Sequence, residues 1–273
     1  MSYFTNKIAI VTGGASGIGR ALSEELASRG STVIVADVNF DGASETASAI
    51  TSNGGRAHPA RLDVTSPEDV ELLVTDTAAQ HGRLDFIFNN AGVGVGGEAR
   101  DITLEHWRRI IDINLFGVIH GTNAAYAVMV KQGFGHIVNT ASLAGLIGAP
   151  TMTPYATTKY AVVGLSTSLR AEAEGLGVRV SAVCPGFIQT GIFEASTFAK
   201  STSQTFLNLI PFKLMDAQSA ARKILRGVER NRSIIVFPSY ARLFWWLARL
   251  NPALLNPLSR KTVNDFRRTR SDG

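Results

Sequence analysis

Cysteine is almost absent from this chain: Cys184 is the single one among 273 residues. One thiol cannot form an internal disulfide or a cysteine-based zinc cluster, which fits a reducing compartment. The N-terminal apolar segment is only a few residues long, and no small-residue cleavage site follows it, which argues against a signal peptide. We therefore expect a cytoplasmic protein.

The greater part of the sequence also lacks net charge. Residues 1–239 contain 20 Lys and Arg and 20 Asp and Glu, so the formal charge of +5 belongs to residues 240–273. A neutral body argues against a broad basic face for nucleic acid, and we predict no nucleic-acid partner. The five histidines show no metal-ligand spacing, so we predict no metal site.

No proline-rich linker, internal repeat or low-complexity segment divides the chain. Short apolar segments rich in β-branched residues alternate with longer segments of helical spacing. The predicted strands are residues 7–12, 32–37, 56–63, 84–90, 135–142, 178–185 and 233–238, and the predicted helices are residues 17–29, 67–81, 103–132 and 155–176. This alternation predicts a three-layer, doubly wound α/β fold whose seven-stranded, mostly parallel sheet has helices on both faces. We assign one domain to residues 1–239 and a basic amphipathic C-terminal extension to residues 240–273.

A glycine-rich turn joins the first predicted strand to the first predicted helix. Gly13, Gly17 and Gly19 have the spacing T-G-x-x-x-G-x-G. Such glycines let the chain turn off the strand, let the backbone approach a pyrophosphate and let the helix pack closely, while the N–H groups at the helix N-terminus bind phosphate. We predict that this loop, with Ser16 and Ile18, binds a dinucleotide. The alternative is a turn that binds nothing.

The second predicted strand ends at Asp37. Its carboxylate can accept hydrogen bonds from the adenosine ribose hydroxyls and would repel a 2′-phosphate, and the neighbouring residues provide no cation for such a phosphate. NAD is therefore favoured over NADP, the alternative being an aspartate that caps the next helix. After the third strand, Asp63 and Val64 are predicted to contact the adenine ring, with a turn as the alternative role of Asp63.

Further motifs follow in a fixed order: "NNAG" at 89–92, "INLFG" at 113–117, "NTAS" at 139–142, "YATTK" at 155–159 and "PGFIQTGI" at 185–192. With the glycine loop, they resemble the single-domain type of the short-chain dehydrogenase/reductase family, over residues 5 to about 190. The resemblance implies a Rossmann fold and an NAD(P)-dependent oxidoreductase that interconverts alcohols and ketones. It also implies a homo-oligomer, a tetramer or a dimer.

The resemblance assigns catalytic roles to four side chains. Tyr155 is the general acid or base, Ser142 binds the substrate oxygen, Lys159 supports the tyrosine and binds the nicotinamide ribose, and Asn114 holds a water that leads to solvent. Free tyrosine, with a pKa near ~10, is too weak an acid for this task. An ammonium about 4 to 5 Å away, at an effective dielectric near ~20, would favour the phenolate by about 3 to 4 kcal/mol, and Lys159 follows Tyr155 by one helical turn.

Two further segments are implied to lie beside the cofactor. The alternative role of the turn after the fourth strand is to stabilise the end of that strand. The segment after the sixth strand resembles the one that receives the nicotinamide carboxamide. The predicted residues of the two segments are Asn90, Ala91 and Gly92, and Pro185, Gly186, Ile188 and Thr190.

The segment after Thr190 is rich in phenylalanine, leucine and isoleucine and has few charges. Together with "LAGLIGAPTM" after Ser142, it predicts an apolar pocket with a mobile lid. The predicted substrate is a small apolar secondary alcohol or ketone. The alternative is that these residues only pack the lid on the core. The apolar residues of the segment are Ile192, Phe193, Phe198, Phe206, Leu207, Leu209, Ile210 and Phe212.

The C-terminal extension begins with a predicted amphipathic helix. Its apolar face is formed by Tyr240, Leu243, Phe244, Leu247 and Leu250, opposite two arginines. Such a helix, with basic residues after it, is typical of peripheral contact with a membrane. It spans only about 16 Å, less than the roughly 30 Å of a hydrocarbon core. The alternatives are that the helix packs on its own domain and covers the pocket, or packs on another subunit.

These observations favour an NAD-dependent oxidoreductase acting on an apolar secondary alcohol or ketone. A second hypothesis is an oxidoreductase of long-chain, lipid or steroid substrates at a membrane surface. A hypothesis of another class is a non-catalytic NAD-sensing protein, against which the presence of Ser142, Tyr155 and Lys159 argues.

Overall fold

A seven-stranded parallel sheet forms the centre of the protein, whose computed structural model describes residues 2–210 and 212–269. Its strands are β1 (Ile8–Thr12), β2 (Thr32–Asp37), β3 (Arg56–Arg61), β4 (Phe86–Asn89), β5 (Gly135–Thr140), β6 (Val178–Pro185) and β7 (Ile234–Phe237). The strand order is β7-β6-β5-β4-β1-β2-β3, and every neighbouring pair is parallel. The predicted sheet is confirmed.

Helices cover both faces of the sheet. They are α1 (Gly17–Ser28), α2 (Phe40–Ser52), α3 (Pro67–His81), α4 (Leu104–Ile111), α5 (Gly117–Gln132), α6 (Thr153–Glu172), α7 (Ser203–Asn208), α8 (Ala217–Glu229), α9 (Ser239–Leu250) and α10 (Asn256–Thr269). Side chains of α1, α2 and α8 pack on one face, and those of α3, α5 and α6 pack on the other. The three predicted layers are therefore present.

Successive side chains of each strand point to opposite faces of the sheet. On β1, Ala9 and Val11 join the core beneath α1 and α8, while Ile8 and Ile10 join the core beneath α3 and α5. Because both faces are buried, the strand reads as a continuous apolar run instead of an alternating one.

The order of the strands reverses between β1 and β4. From β1 the chain moves outward to β3, then crosses back to β4 on the other side of β1. At such a reversal the loops at the carboxyl ends of the strands diverge and leave a crevice, which is where ligands bind in open parallel sheets. This topology places the predicted glycine loop and the "NNAG" segment side by side.

The longest helical run, Leu104–Gln132, is long and apolar enough to cross a membrane by length and composition alone. It packs against the sheet instead, through Ala125 and Met129 among others. The sequence predicts an uninterrupted helix over 103–132. In the structure, a π-helical turn at Asp112–Phe116 separates α4 from α5.

His136 of β5 is a buried histidine outside the predicted site. Its Nε2 lies 2.9 Å from Ser181 Oγ, and the Ser181 hydroxyl donates to the carbonyl of Arg232 at 2.6 Å. The ring therefore donates from Nε2, and Nδ1 has no partner among the described residues. Burial, with a smaller contribution from Arg179, lowers the pKa of His136 to about 3.

We expect His136 to weaken the fold as the pH falls below about 6.5, where an unfolded histidine titrates. Between that pH and about 3 the unfolded state binds one more proton than the folded state, so the free energy of unfolding declines by up to about 1.4 kcal/mol per pH unit. His136→Gln should reduce this slope in urea unfolding at several pH values. His58→Gln, at an exposed position, is the control and should keep it. Equal slopes for wild type and His136→Gln would contradict the assignment.

Candidate active site

A cavity of about 1000 Å³ opens at the carboxyl ends of the strands. The loops that follow the first six strands line it. The predicted site residues that line it are Gly13, Ser16, Gly17, Ile18, Asp37, Asp63, Val64, Asn90, Ala91, Gly92, Ser142, Tyr155, Lys159, Pro185, Gly186, Ile188 and Thr190. The other two predicted site residues, Gly19 and Asn114, are buried and are absent from the lining. The fold thus brings together residues that are more than 170 positions apart.

The glycine loop after β1 has the backbone that its spacing predicts. Gly13 and Gly17 have φ angles of +68° and +53°, in the left-handed region that favours glycine. A methyl group on Gly19 would overlap the carbonyl oxygen of Gly13, so the helix needs glycine there to approach the loop. Thr12 Oγ1 accepts the N–H groups of Asn90 and Ala91 at 2.9 and 3.0 Å, which fixes the loop to the end of β4.

Two carboxylates occupy the end of the cavity beside the glycine loop. Asp37 accepts the N–H of Ala15 at 3.0 Å through Oδ2 and that of Asn39 at 2.9 Å through Oδ1. Asp63 Oδ1 accepts the N–H and the hydroxyl of Thr65 at 2.9 and 2.8 Å, so Asp63 also stabilises its own turn. Among the described residues that line this end, the charged ones are acidic.

Ser142, Tyr155 and Lys159 come together at the ends of β5 and α6. Ser142 and Tyr155 both line the cavity there, and the Ser142 side chain is close enough to lower the pKa of Tyr155. Lys159 Nζ donates to the carbonyl of Thr140 at 2.8 Å and lies 5.5 Å from the centre of the Tyr155 ring. The Ser142 hydroxyl also accepts the N–H of Ala144 at 3.1 Å, which fixes its rotamer.

Burial dominates the electrostatics of this group. The surrounding protein raises the pKa of Tyr155, although the Ser142 side chain opposes the shift. Burial lowers the pKa of Lys159 to about 8. The sequence predicts that the ammonium of Lys159 lowers the pKa of Tyr155. In the structure, desolvation has the larger effect on this pKa. The described side chains alone therefore do not bring the pKa of Tyr155 close to neutral.

Asn114 lies in the π-helical turn, with its side chain fully buried. Its amide nitrogen donates to the carbonyl of Val93 and its amide oxygen accepts the N–H of Val93, each at 2.8 Å. A methyl group on Gly92 would lie 3.1 Å from Asn114 Oδ1 and 3.6 Å from Lys159 Nζ. The side chain therefore braces the segment after β4 next to Lys159.

The remaining part of the cavity is mostly apolar. The residues after Ser142 contribute Leu143, Ile147 and Met152 to its lining. From the predicted lid, Leu207 is absent from the lining, and the contributing residues are Ile192, Phe193, Phe198, Phe206, Leu209, Ile210 and Phe212. The predicted apolar pocket is thus present beside Ser142 and Tyr155. Four charged residues of α4 and the π-helical turn also line the cavity, and no sequence motif indicated them: Glu105, Arg108, Arg109 and Asp112.

Helix α9 of the C-terminal extension also lines the cavity. The Tyr240 ring stacks on Phe212 at 4.2 Å between centroids, and its hydroxyl accepts the N–H of Phe187 at 2.7 Å. The predicted apolar side of this helix is only partly buried: Tyr240 and Phe244 face the cavity, whereas the side chains of Leu243 and Leu250 are more than half exposed. Of the alternatives considered for this helix, covering the pocket is the one observed in the structure.

The family model described as "short chain dehydrogenase" matches residues 7–200 of the chain. The chain belongs to the short-chain dehydrogenase family. This short-chain dehydrogenase is 36% identical over 201 residues to cyclohexanol dehydrogenase of an Acinetobacter species, with 72% of this chain and 80% of that protein covered. It is 39% identical over 212 residues to 2,5-dichloro-2,5-cyclohexadiene-1,4-diol dehydrogenase of Sphingobium indicum, with 77% and 84% covered.

A third relative matches almost the whole chain. The probable oxidoreductase EphD of Mycobacterium tuberculosis is 31% identical over 271 residues, which cover 96% of this chain but 46% of that protein. Among solved structures, a short-chain dehydrogenase/reductase from Burkholderia phymatum in complex with NAD has a TM-score of 0.81 and 29% identity. The match covers 100% of this chain and 98% of that one. The Rossmann fold implied by the resemblance is thereby confirmed.

Proposed function

We propose that this short-chain dehydrogenase interconverts an apolar alicyclic secondary alcohol and its ketone, with NAD as the hydride carrier. The observation that carries the proposal is the meeting of Ser142, Tyr155 and Lys159 at one cavity with an apolar lining. The names of two relatives support the substrate class, since both denote alcohols on six-membered rings.

The residues of the cavity fit a dinucleotide. The left-handed glycines and the N-terminus of α1 would hold the pyrophosphate, and Asp37 the adenosine ribose. Asp63 and Val64 would contact the adenine. Along the rest of the cavity, the nicotinamide and its ribose would lie against Asn90, Ala91, Gly92, Tyr155, Lys159, Pro185, Gly186, Ile188 and Thr190. The acidic adenosine end supports NAD over NADP, because a 2′-phosphate would be repelled there.

The side chains divide the chemistry between them. A bound oxidised nicotinamide would supply the hydride acceptor for the carbinol carbon and a positive charge in the site. The Tyr155 oxygen takes the hydroxyl proton of the alcohol, or returns it to the carbonyl in the reverse direction. Ser142 holds the substrate oxygen at hydrogen-bonding distance, and the ammonium of Lys159 favours the phenolate. Asn114 is a positioning residue, because it holds Val93 and the segment beside Lys159.

A substrate panel tests the proposal. Cyclohexanol, cyclopentanol, 2-propanol, sorbitol and lactate would be supplied with NAD or NADP, and reduced nicotinamide would be followed by absorbance. We expect the highest kcat/KM for the cyclic alcohols with NAD. Turnover confined to sorbitol or lactate would contradict the substrate class. Cofactor binding without turnover of any alcohol would favour the non-catalytic NAD-sensing protein.

A second candidate is an oxidoreductase of long-chain, lipid or steroid substrates at a membrane surface. The outer face of α9 supports it, because Leu243, Trp246 and Leu250 are exposed there beside Arg242 and Arg249. Binding to anionic phospholipid vesicles, lost in Trp246→Gln and kept in Leu72→Gln, would favour this candidate. Leu72 is a similarly exposed apolar residue on α3.

We further propose a cytoplasmic homo-oligomer, a dimer or tetramer, assembled through α4, α5 and α6. The exposed side chains of Leu104, Phe116 and Tyr160 on this helical region support such an interface. Light scattering of the purified protein would test the assembly, and a monomer at micromolar concentration would contradict it.

A further inference from the structure

The last described helix, α10, contributes to the wall of the cavity although it lies far from the family motifs in sequence. One side of α10 and of the preceding turn at Pro252–Leu255 supplies Leu255, Leu258, Ser259 and Thr262 to the lining. The other side, with Arg260 and Lys261 among others, is exposed. The helix therefore separates part of the cavity from solvent.

Two contacts near the end of α10 attach it to the body of the protein. Phe266 is fully buried. Arg267 donates to Glu98 Oε1 from Nε at 2.8 Å, and its Nη2 lies 2.7 Å from the same oxygen. Glu98 is itself nearly buried and also pairs with Arg100 at 2.7 Å. These arginines lower the pKa of Glu98 to about 2, so the carboxylate stays charged over the physiological range.

Glu98 belongs to the segment between β4 and α4 that also borders the cavity. Val95 and Gly96, just before it, line the cavity and pair with the two-residue strand Thr197–Phe198 of the lid. The ion pair thus joins α10 to the same part of the body that holds the lid. Loss of the pair would leave Phe266 to hold this end of α10 and would weaken the attachment of the wall.

We propose that α10 and the turn before it form a substrate-specificity element, which the ion pair between Arg267 and Glu98 holds in place. Leu255 of the turn and Leu258 of α10 contact the part of an apolar alcohol most distant from its hydroxyl. The inference rests on the proposed function and deepens it. An alcohol with a large ring substituent gains binding from this wall, whereas a small one reacts at Ser142 and Tyr155 without reaching it. The wall thus selects large alcohols through KM.

Arg267→Gln tests the attachment. The substrates are 4-tert-butylcyclohexanol and 2-propanol, each with saturating NAD. We expect KM for the large alcohol to rise about tenfold, as for the loss of a hydrogen-bonded charge pair, with kcat/KM for 2-propanol within about twofold. Arg267→Lys, which keeps the charge, should restore part of the effect. Arg268→Gln is the matched control, because Arg268 is exposed and pairs with Asp265 at 3.6 Å.

Leu258→Trp tests the wall independently of its attachment. A larger side chain at this position should fill the apolar end, raising KM for 4-tert-butylcyclohexanol and leaving 2-propanol unaffected. Proportional changes for both alcohols, or no change in either variant, would overturn the inference while leaving the proposed function standing. If the wild-type enzyme oxidises neither alcohol nor any other of the panel, the proposed function fails and the inference fails with it.

Discussion

Tyr155→Phe is expected to lower kcat for alcohol oxidation by about 10²- to 10⁴-fold, the usual range for the loss of a general acid or base. The substitution removes only the phenolic oxygen, whose pKa the Ser142 side chain affects. The ring and its contact with Lys159 remain, so affinity for NAD should stay within about twofold. Initial rates with cyclohexanol, together with NAD titration by quenching of tryptophan fluorescence, measure the two effects separately.

Tyr160→Phe provides the matched control. Tyr160 lies on the same helix, five residues after Tyr155, with its side chain nearly half exposed and outside the cavity lining. It should keep the wild-type rate. Retention of full turnover in Tyr155→Phe would remove the tyrosine from the mechanism and leave the non-catalytic hypothesis in a stronger position.

Asp37→Asn is expected to shift the cofactor preference toward NADP by about 10- to 100-fold in the ratio of kcat/KM values. The change keeps the size of the side chain and one oxygen acceptor but removes the charge. Repulsion between a carboxylate and a phosphate about 6 Å apart, at an effective dielectric of roughly 20 to 80, amounts to about 1 to 3 kcal/mol. Initial rates with NAD and NADP at a fixed alcohol concentration measure the shift.

The same substitution four residues later is the control for Asp37→Asn. Asp41 lies in the first turn of α2, exposed and outside the cavity lining. Asp41→Asn should leave the preference unchanged. If the wild-type enzyme already prefers NADP, or if both variants shift equally, Asp37 does not select the cofactor.

The sheet could be predicted from the sequence because its signal is local and strong. Both faces of β1 and β2 are buried, so nearly every residue in them is apolar. The site residues followed from motifs that mark the ends of these strands. The turn at Asp63 was left open between two roles, and the structure shows the hydrogen bonds of the turn together with a place in the cavity wall.

The orientation of α9 could not be predicted, for a physical reason. Apolar side chains surround most of the helix, so its wheel has an inner side with Ala241 and Phe244 and an outer side with Leu243 and Trp246. Long-range packing decides between them, here through the stacking of Tyr240 on Phe212. The π-helical turn at Asp112–Phe116 was likewise missed, because the single extra residue that it contains interrupts the helical spacing of 103–132 at only one place.

The π-helical turn makes this part of the chain sensitive to the loss of a single residue. Such a turn is an α-helix with one residue more than its hydrogen bonds require. Loss of a single residue within 112–116 would restore regular α-helical bonding with little rotation of the flanking helices, because the π turn already accommodates the extra residue. Asn114 would then leave the wider turn, and its two hydrogen bonds with the backbone of Val93 would be lost. A deletion that makes the helix more regular would thus remove the brace of the segment after β4 beside Lys159.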